Sequence, residues 1–296
     1  MSISVKDIAP EYNFEISGVS YIGNPKPNTV MYVGRKISDM LINLSSEKDI
    51  LCFTDEDVDV PGEALEGNAV IRVKNPQLEY SKIALDLEEE RSKAESEIGF
   101  ELLNGSQISK NAKIGANAYI EPGCFIGHGV VLGNNAVILT GTVIKYALIG
   151  DGFLCNEGAR IGINAFTMAD NEDGNKVRIP SLGKVIIGDE VEIGANNTVS
   201  RGSVSDTIFK DHVKTDAMVH IGHDAVLEKN VEIAAGTIIG GFAIIGKNTF
   251  MGLNSTAKNR ISIGENCFVG MGGAVMKSFP ENVTIAGNPA KGIGIR

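Results

Sequence analysis

Residues 219–241 read VHIGHDAVLEKNVEIAAGTIIGG, and within them Ile221, Leu227, Ile233 and Ile239 stand six apart. A period of six fits neither the 3.6-residue turn of a helix nor the two-residue alternation of a hairpin. The same beat runs outward in both directions. Upstream it is held by Ile108, Ile114, Ile120, Ile126, Leu132, Ile138 and Ile144, and after a one-residue slip by Ile149, Cys155 and Ile161. The stretch 168–184 interrupts it, and Ile187, Ile193 and Val199 resume it. From Phe209 and Thr215 it then continues without a break to Val275. A small or β-branched residue lies two positions before the beat, as at Ala112, Cys124, Ala225, Val231 and Thr237.

This pattern predicts a hexapeptide parallel β-helix. Each hexapeptide forms a short strand and a corner. The aliphatic residue and the small one two before it share the inward face, because alternate residues of a strand point the same way. Three hexapeptides close an 18-residue coil, and coils stack at the ordinary strand spacing of about 4.8 Å.

The chain changes character before this region. Residues 1–77 alternate short apolar runs with turn signals and are expected to form a small α/β domain. Residues 78–103, LEYSKIALDLEEERSKAESEIGFELL, carry helix formers with no Gly or Pro before position 99, which predicts a helix. The expected organisation is an α/β domain over 1–104, with that linking helix, and a β-helix over 105–296 with an inserted loop at 168–184.

Composition narrows the class. Among 296 residues there are 35 glycines, no tryptophan and 6% aromatics, which suits many corners around a thin aliphatic core. The formal charge of -10 speaks against nucleic acid or an anionic membrane as the main partner. Four scattered cysteines form no C-x-x-C pair, so free thiols in a reducing cytoplasm are expected. Neither a signal peptide nor an apolar run of membrane-spanning length is evident.

Two of the chain's four histidines, His220 and His223, fall within four residues of each other. With Val219 and Ile221 inward, His220 points out, and His223 lies at the corner just past the strand. Gly241 follows His223 by 18 residues, one coil on, so its backbone N–H is expected at the same corner. A base beside an amide donor meets the needs of acyl transfer: one takes the proton of a nucleophile and the other holds the oxyanion. Asp224 is expected to contribute little, since adjacent side chains diverge.

The stretches VHIGHD, FEISGVSYIGNPKPNTVMYV, VKNPQLEYSKIALDL and VRIPSLGKVIIGDEVEIGANNTVSRGSVSDT resemble the UDP-3-O-acylglucosamine N-acyltransferases of lipid A biosynthesis, and more broadly the hexapeptide acyltransferases. The resemblance implies a left-handed coil, against the usual right-handed crossover. It also implies a nucleotide-binding N-terminal domain, a general base at His223, an oxyanion donor at Gly241 and a homotrimer. The departures are specific. An asparagine of the family falls on Ala217, and a second histidine falls on Arg260. Of the uracil-stacking residues only Tyr32 matches, the others falling on Arg35 and Ser38. The sequence closes with IAGNPAKGI, where the resemblance shifts to the coenzyme A-binding end of sugar acetyltransferases, implying Asn288, Pro289 and Lys291 as donor contacts. No carrier-binding helical extension follows in it.

The resulting expectation is a cytoplasmic, homotrimeric N-acyltransferase. It moves an acyl group from acyl-CoA, a co-substrate and not a bound cofactor, to a nucleotide-linked amino sugar of surface polysaccharide or lipopolysaccharide synthesis. His220, Tyr32, Arg35 and Arg260 are the expected substrate contacts. Transfer from acyl carrier protein to the lipid A precursor itself is the alternative within this class. Outside it stand a metalloenzyme, which would need three converging histidines, and a non-catalytic β-helical scaffold.

Overall fold

The computed structural model describes residues 2–295. They fall into two compact units: residues 2–97 with 166–182 and 203–205, and residues 98–165 with 183–202 and 206–295.

The second unit is a parallel β-helix. Its short strands line up in three sheets, the faces of a prism. Face 1 contains His220–Ile221, face 2 Val226–Leu227 and face 3 Glu232–Ile233. Ile221 pairs in parallel with Ile239 one coil on, and Ile239 with Ala257, so the 18-residue coil holds in register. The repeat residues are the core: Ile126, Ile144, Ile193, Ile221, Leu227, Ile239 and Val269 are buried, as are Ala225, Val231 and Ala243 two before the beat. Only the first coil is open, with Ile114 38% exposed. The 166–182 insert packs with the other unit, where Met168–Asp170 and Lys176–Arg178 form an antiparallel hairpin.

Corners are made by residues of positive φ. At the corner between faces 1 and 2, Asp224, Phe242 and Arg260, each 18 residues apart, have φ of 58°, 60° and 61°. Between faces 2 and 3 the corner is asparagine: Asn230 donates its Nδ2 hydrogen to Asn248 Oδ1 at 3.1 Å, and Asn248 to Asn266 at 3.0 Å. Asparagine tolerates this backbone region better than most side chains.

The expected helix over 78–103 is shorter. It spans Pro76–Ser96 (α1), capped by Asn75 Oδ1, which accepts from the Leu78 N–H at 3.1 Å. Residues Phe100–Leu103 are instead a strand, antiparallel to Ser106–Ser109. The turn between them is Asn104-Gly105, both at positive φ, a two-residue hairpin connection that outweighs the helical propensity of the leucines.

In the first unit, Gly18–Val19, Thr29–Val33, Ile50–Asp55 and Ala69–Val73 form a parallel four-stranded sheet. One buried cluster includes Val30, Leu51 and Phe53 with Tyr80 and Ala84 of α1, and another includes Met31, Ile50 and Cys52 with Leu41 and Leu44. Among the described residues no helix is long and apolar enough to cross a membrane.

Candidate active site

His223 and Asp224 are built by one corner. The left-handed backbone at Asp224 turns its side chain back, so Asp224 Oδ2 lies 2.7 Å from His223 Nδ1. The expectation that the two diverge is corrected by that backbone conformation; it would hold only along an extended strand. Asp224 is 4% exposed, and its N–H donates to the Oγ1 of buried Thr207 at 2.8 Å. A carboxylate can only accept, so Nδ1 carries the hydrogen and Nε2 presents its lone pair. The His223 side chain is 21% exposed, so the corner covers most of it.

Gly241 lies against the other side of the ring. A Cβ added there would stand 2.7 Å from His223 Nε2 and 2.9 Å from Cε1. An alanine here would have to displace the imidazole. Gly241 O accepts from the Arg260 N–H at 3.0 Å, whereas no acceptor lies on the Gly241 N–H among the described residues. Gly222 keeps this region open, since a Cβ there would come within 2.6 Å of the Gly241 nitrogen.

Phe242 extends the column. Its ring meets the His223 ring edge-on at 5.3 Å between centroids, and the Arg260 guanidinium sits over its face at 4.2 Å. Arg260 is thus tied to the site through Phe242. Sequence reasoning missed Phe242 and Thr207. The signal for Phe242 was present in the 18-residue spacing of Asp224, Phe242 and Arg260.

His220 points outward on face 1 as expected, with Nδ1 2.8 Å from Thr198 Oγ1. Burial first, and then repulsion by the His223 charge, push its pKa below the ordinary imidazole value. The remaining histidines are elsewhere: His128 Nδ1 pairs with Ser109 Oγ at 2.7 Å, and His212 Nδ1 lies 3.1 Å from Glu190. Among the described residues no group of three or more His, Cys, Asp or Glu side chains could hold a metal ion. All four cysteines are free and buried, and burial pushes the Cys52 and Cys155 thiols up to about 12.

The expected donor contacts are not gathered at this corner. Asn288, Pro289 and Lys291 belong to the hairpin of Val283–Gly287 and Ala290–Ile295 at the far end of face 3. Its first strand is three spacings beyond Glu232–Ile233, about 14 Å along the axis. Tyr32 and Arg35 are in the first unit. The Tyr32 ring packs at 5.2 Å against buried Tyr80, and exposed Arg35 pairs with Asp57 at 2.6 Å.

Comparison with known proteins agrees with this architecture. The family description "Bacterial transferase hexapeptide (six repeats)" matches residues 105–146, and "Hexapeptide repeat of succinyl-transferase" matches 243–277. UDP-N-acetylglucosamine O-acyltransferase from Moraxella catarrhalis superposes with a TM-score of 0.59 at 26% identity, over 65% of this chain and 74% of that one. The corresponding acyltransferase of Bacteroides fragilis gives a TM-score of 0.60, also at 26% identity, over 66% and 74%. The chain is a left-handed hexapeptide β-helix protein, mainly β.

Within that class it resembles the UDP-3-O-acylglucosamine N-acyltransferases. It is 45% identical over 83 residues to the one from Coxiella burnetii, covering 28% of this chain and 24% of the relative. It is 40% identical over 93 residues to the one from Methylorubrum extorquens, covering 31% and 26%. The chain thus spans about a quarter of the length of the curated relatives it matches.

Proposed function

We propose that the chain is an N-acyltransferase that acylates the amine of a nucleotide-linked amino sugar. The observation that carries this reading is His223, held at Nδ1 by the Asp224 carboxylate with Nε2 against Gly241, whose N–H has no protein acceptor among the described residues. The neutral amine attacks the thioester carbonyl, and Nε2 takes its proton as the C–N bond forms. The carbonyl oxygen becomes an oxyanion held by the Gly241 N–H, while Asp224 stabilises the imidazolium. Collapse breaks the C–S bond, and the imidazolium proton goes to the leaving thiolate.

The donor is acyl-CoA in this reading. Lys258 and Arg260 stand exposed at the corner two coils beyond His223, and Lys277 at the next, on the same prism edge. They form a cationic track for phosphates leading away from the base. Asn288, Pro289 and Lys291 occupy another face of their own chain, so they serve a donor only across a protomer boundary. That fits a homotrimer. Its support is the outward row of face 2, where Val131, Leu148, Ile186, Ile208, Val226 and Ile244 pair in succession as six aliphatic rungs. Such a strip is more than scattered surface apolarity and calls for a protein neighbour.

The acceptor contacts beside the base are Arg260 and His220. The names of the relatives favour a UDP-linked glucosamine as acceptor, and in this reading the reaction serves lipid A or related surface-glycolipid synthesis in the cytoplasm. Mass spectrometry of reactions pairing UDP- and dTDP-linked amino sugars with acyl-CoA or acyl carrier protein tests the reading. An N-acylated sugar formed from acyl-CoA supports it. Product from the carrier protein alone makes the enzyme a lipid A-type transferase, and no product with any pair removes the acyltransferase reading.

A further inference from the structure

Face 3 carries a second concave site, away from His223. Its outward row runs Glu192, Lys214, Glu232, Phe250, Phe268, each paired with the next one coil on. Lys214 leans toward the start of the row, its Nζ 3.9 Å from the Glu192 carboxylate and 2.8 Å from the Glu190 carbonyl oxygen. Glu232 is left with no cation within ion-pair distance among the described residues. The next two rungs are rings, Phe250 and Phe268, stacked at 5.2 Å and 13°. Stacking along the axis gives one face of Phe250 to Phe268 and turns the other toward the strand of Glu232. A half-open groove of about 190 Å³ lies here, lined by Glu232, Phe250 and Phe268 and by Asn230, Asn248 and Thr249.

We propose that this groove binds a monosaccharide-sized ring bearing a protonated amine, at a site separate from the acyl-transfer centre. Its volume is below that of pockets for drug-sized ligands, which limits the occupant to a single small ring. The aromatic face takes the apolar side of a pyranose ring, and also attracts a neighbouring cation. The Glu232 carboxylate takes the ammonium. The amides of Asn230 and Asn248, each with one hydrogen committed along the ladder, retain a second N–H for ring hydroxyls. A neutral sugar lacks the ammonium, and a simple alkylamine lacks the ring.

The test is saturation-transfer NMR on the full chain at pH 6.5, where amines are protonated, with glucosamine, N-acetylglucosamine and glucose as probes. Acyl transfer is not read, so the outcome is independent of the function proposed above. Saturable binding of glucosamine is expected, weaker by at least about threefold in the exposed Glu232→Gln variant, and weaker also for the two neutral sugars. Phe250→Leu, which keeps an aliphatic side chain, should weaken all three, and glucosamine most. Equal glucosamine binding by wild type and Glu232→Gln would overturn the proposal. So would binding of none of the probes, including the case in which Phe250→Leu alters the sedimentation coefficient and marks the rings as a protein contact.

Discussion

Asp224 Oδ2 stands 2.7 Å from Nδ1 of His223, its immediate neighbour in the chain. Such a contact between adjacent residues exists because Asp224 has φ of 58° and its amide is fixed to Thr207 Oγ1. The carboxylate is thereby held by backbone geometry, and the imidazole by the carboxylate. Asp224→Asn keeps the shape but not the charge, and its amide can present a hydrogen to Nδ1 and favour the wrong tautomer. A fall in kcat/KM of at least about tenfold is expected, with little change in Tm; steady-state kinetics and thermal melts check this.

Gly241→Ala should act through the His223 ring. No positive φ constrains Gly241, so the obstacle to alanine is the imidazole 2.7 Å from the new Cβ. Overpacking of this kind costs about 1–3 kcal/mol. The loss of stability should shrink in the double variant Gly241→Ala, His223→Ala, where the ring is gone. Denaturant melts of the four-member cycle measure this; additive losses would mean that the two residues do not touch.

His220 gives a pH signature. Its folded pKa lies below the ordinary value, because of burial and then the His223 charge. The unfolded chain therefore takes up the proton first as pH falls from about 6.5. The stability contributed by neutral His220 is present above that pH and is lost as pH falls through the lower, folded pKa. Melts from pH 7.5 to 5 should show a shallower acid decline in His220→Gln than in wild type. An unchanged slope would contradict the burial of the ring.

Ile208 lies mid-row on the aliphatic exterior of face 2, between Ile186 and Val226. Ile208→Glu places a charge where a neighbouring prism is proposed to sit. Light scattering should change from trimer to monomer, with the melting profile of the isolated helix retained. A wild-type chain that is monomeric at micromolar concentration and active would rule the trimer out.

The fold was legible because the six-residue beat is a direct consequence of geometry: every coil repeats one inward aliphatic, so Ile221, Leu227 and Ile233 announce the faces. The corner chemistry was less legible. His223 and Gly241 are related by the coil length and could be paired by counting. The turn of Asp224 onto His223 depends on a backbone dihedral, which an aspartate does not announce as glycine does. Phe242 was hidden because an aromatic at a corner resembles an exposed hydrophobic until Asp224, Phe242 and Arg260 are counted 18 apart. The strand Phe100–Leu103 was masked by helix-forming leucines, although Asn104-Gly105 marked the hairpin. Asn288, Pro289 and Lys291 were grouped with the site by resemblance, and only the strand order shows them on another face.

The most direct test is the effect of His223→Ala on kcat/KM for N-acylation of a nucleotide-linked amino sugar by acyl-CoA, followed by mass spectrometry above pH 7, with folding verified by an unchanged melt. A general base accounts for about 10²–10⁴ in rate. A fall of that size, with an essentially unaltered Tm, is the expected result. A fall of less than about tenfold would contradict the assignment, because the amine would then lose its proton by a route that does not pass through His223.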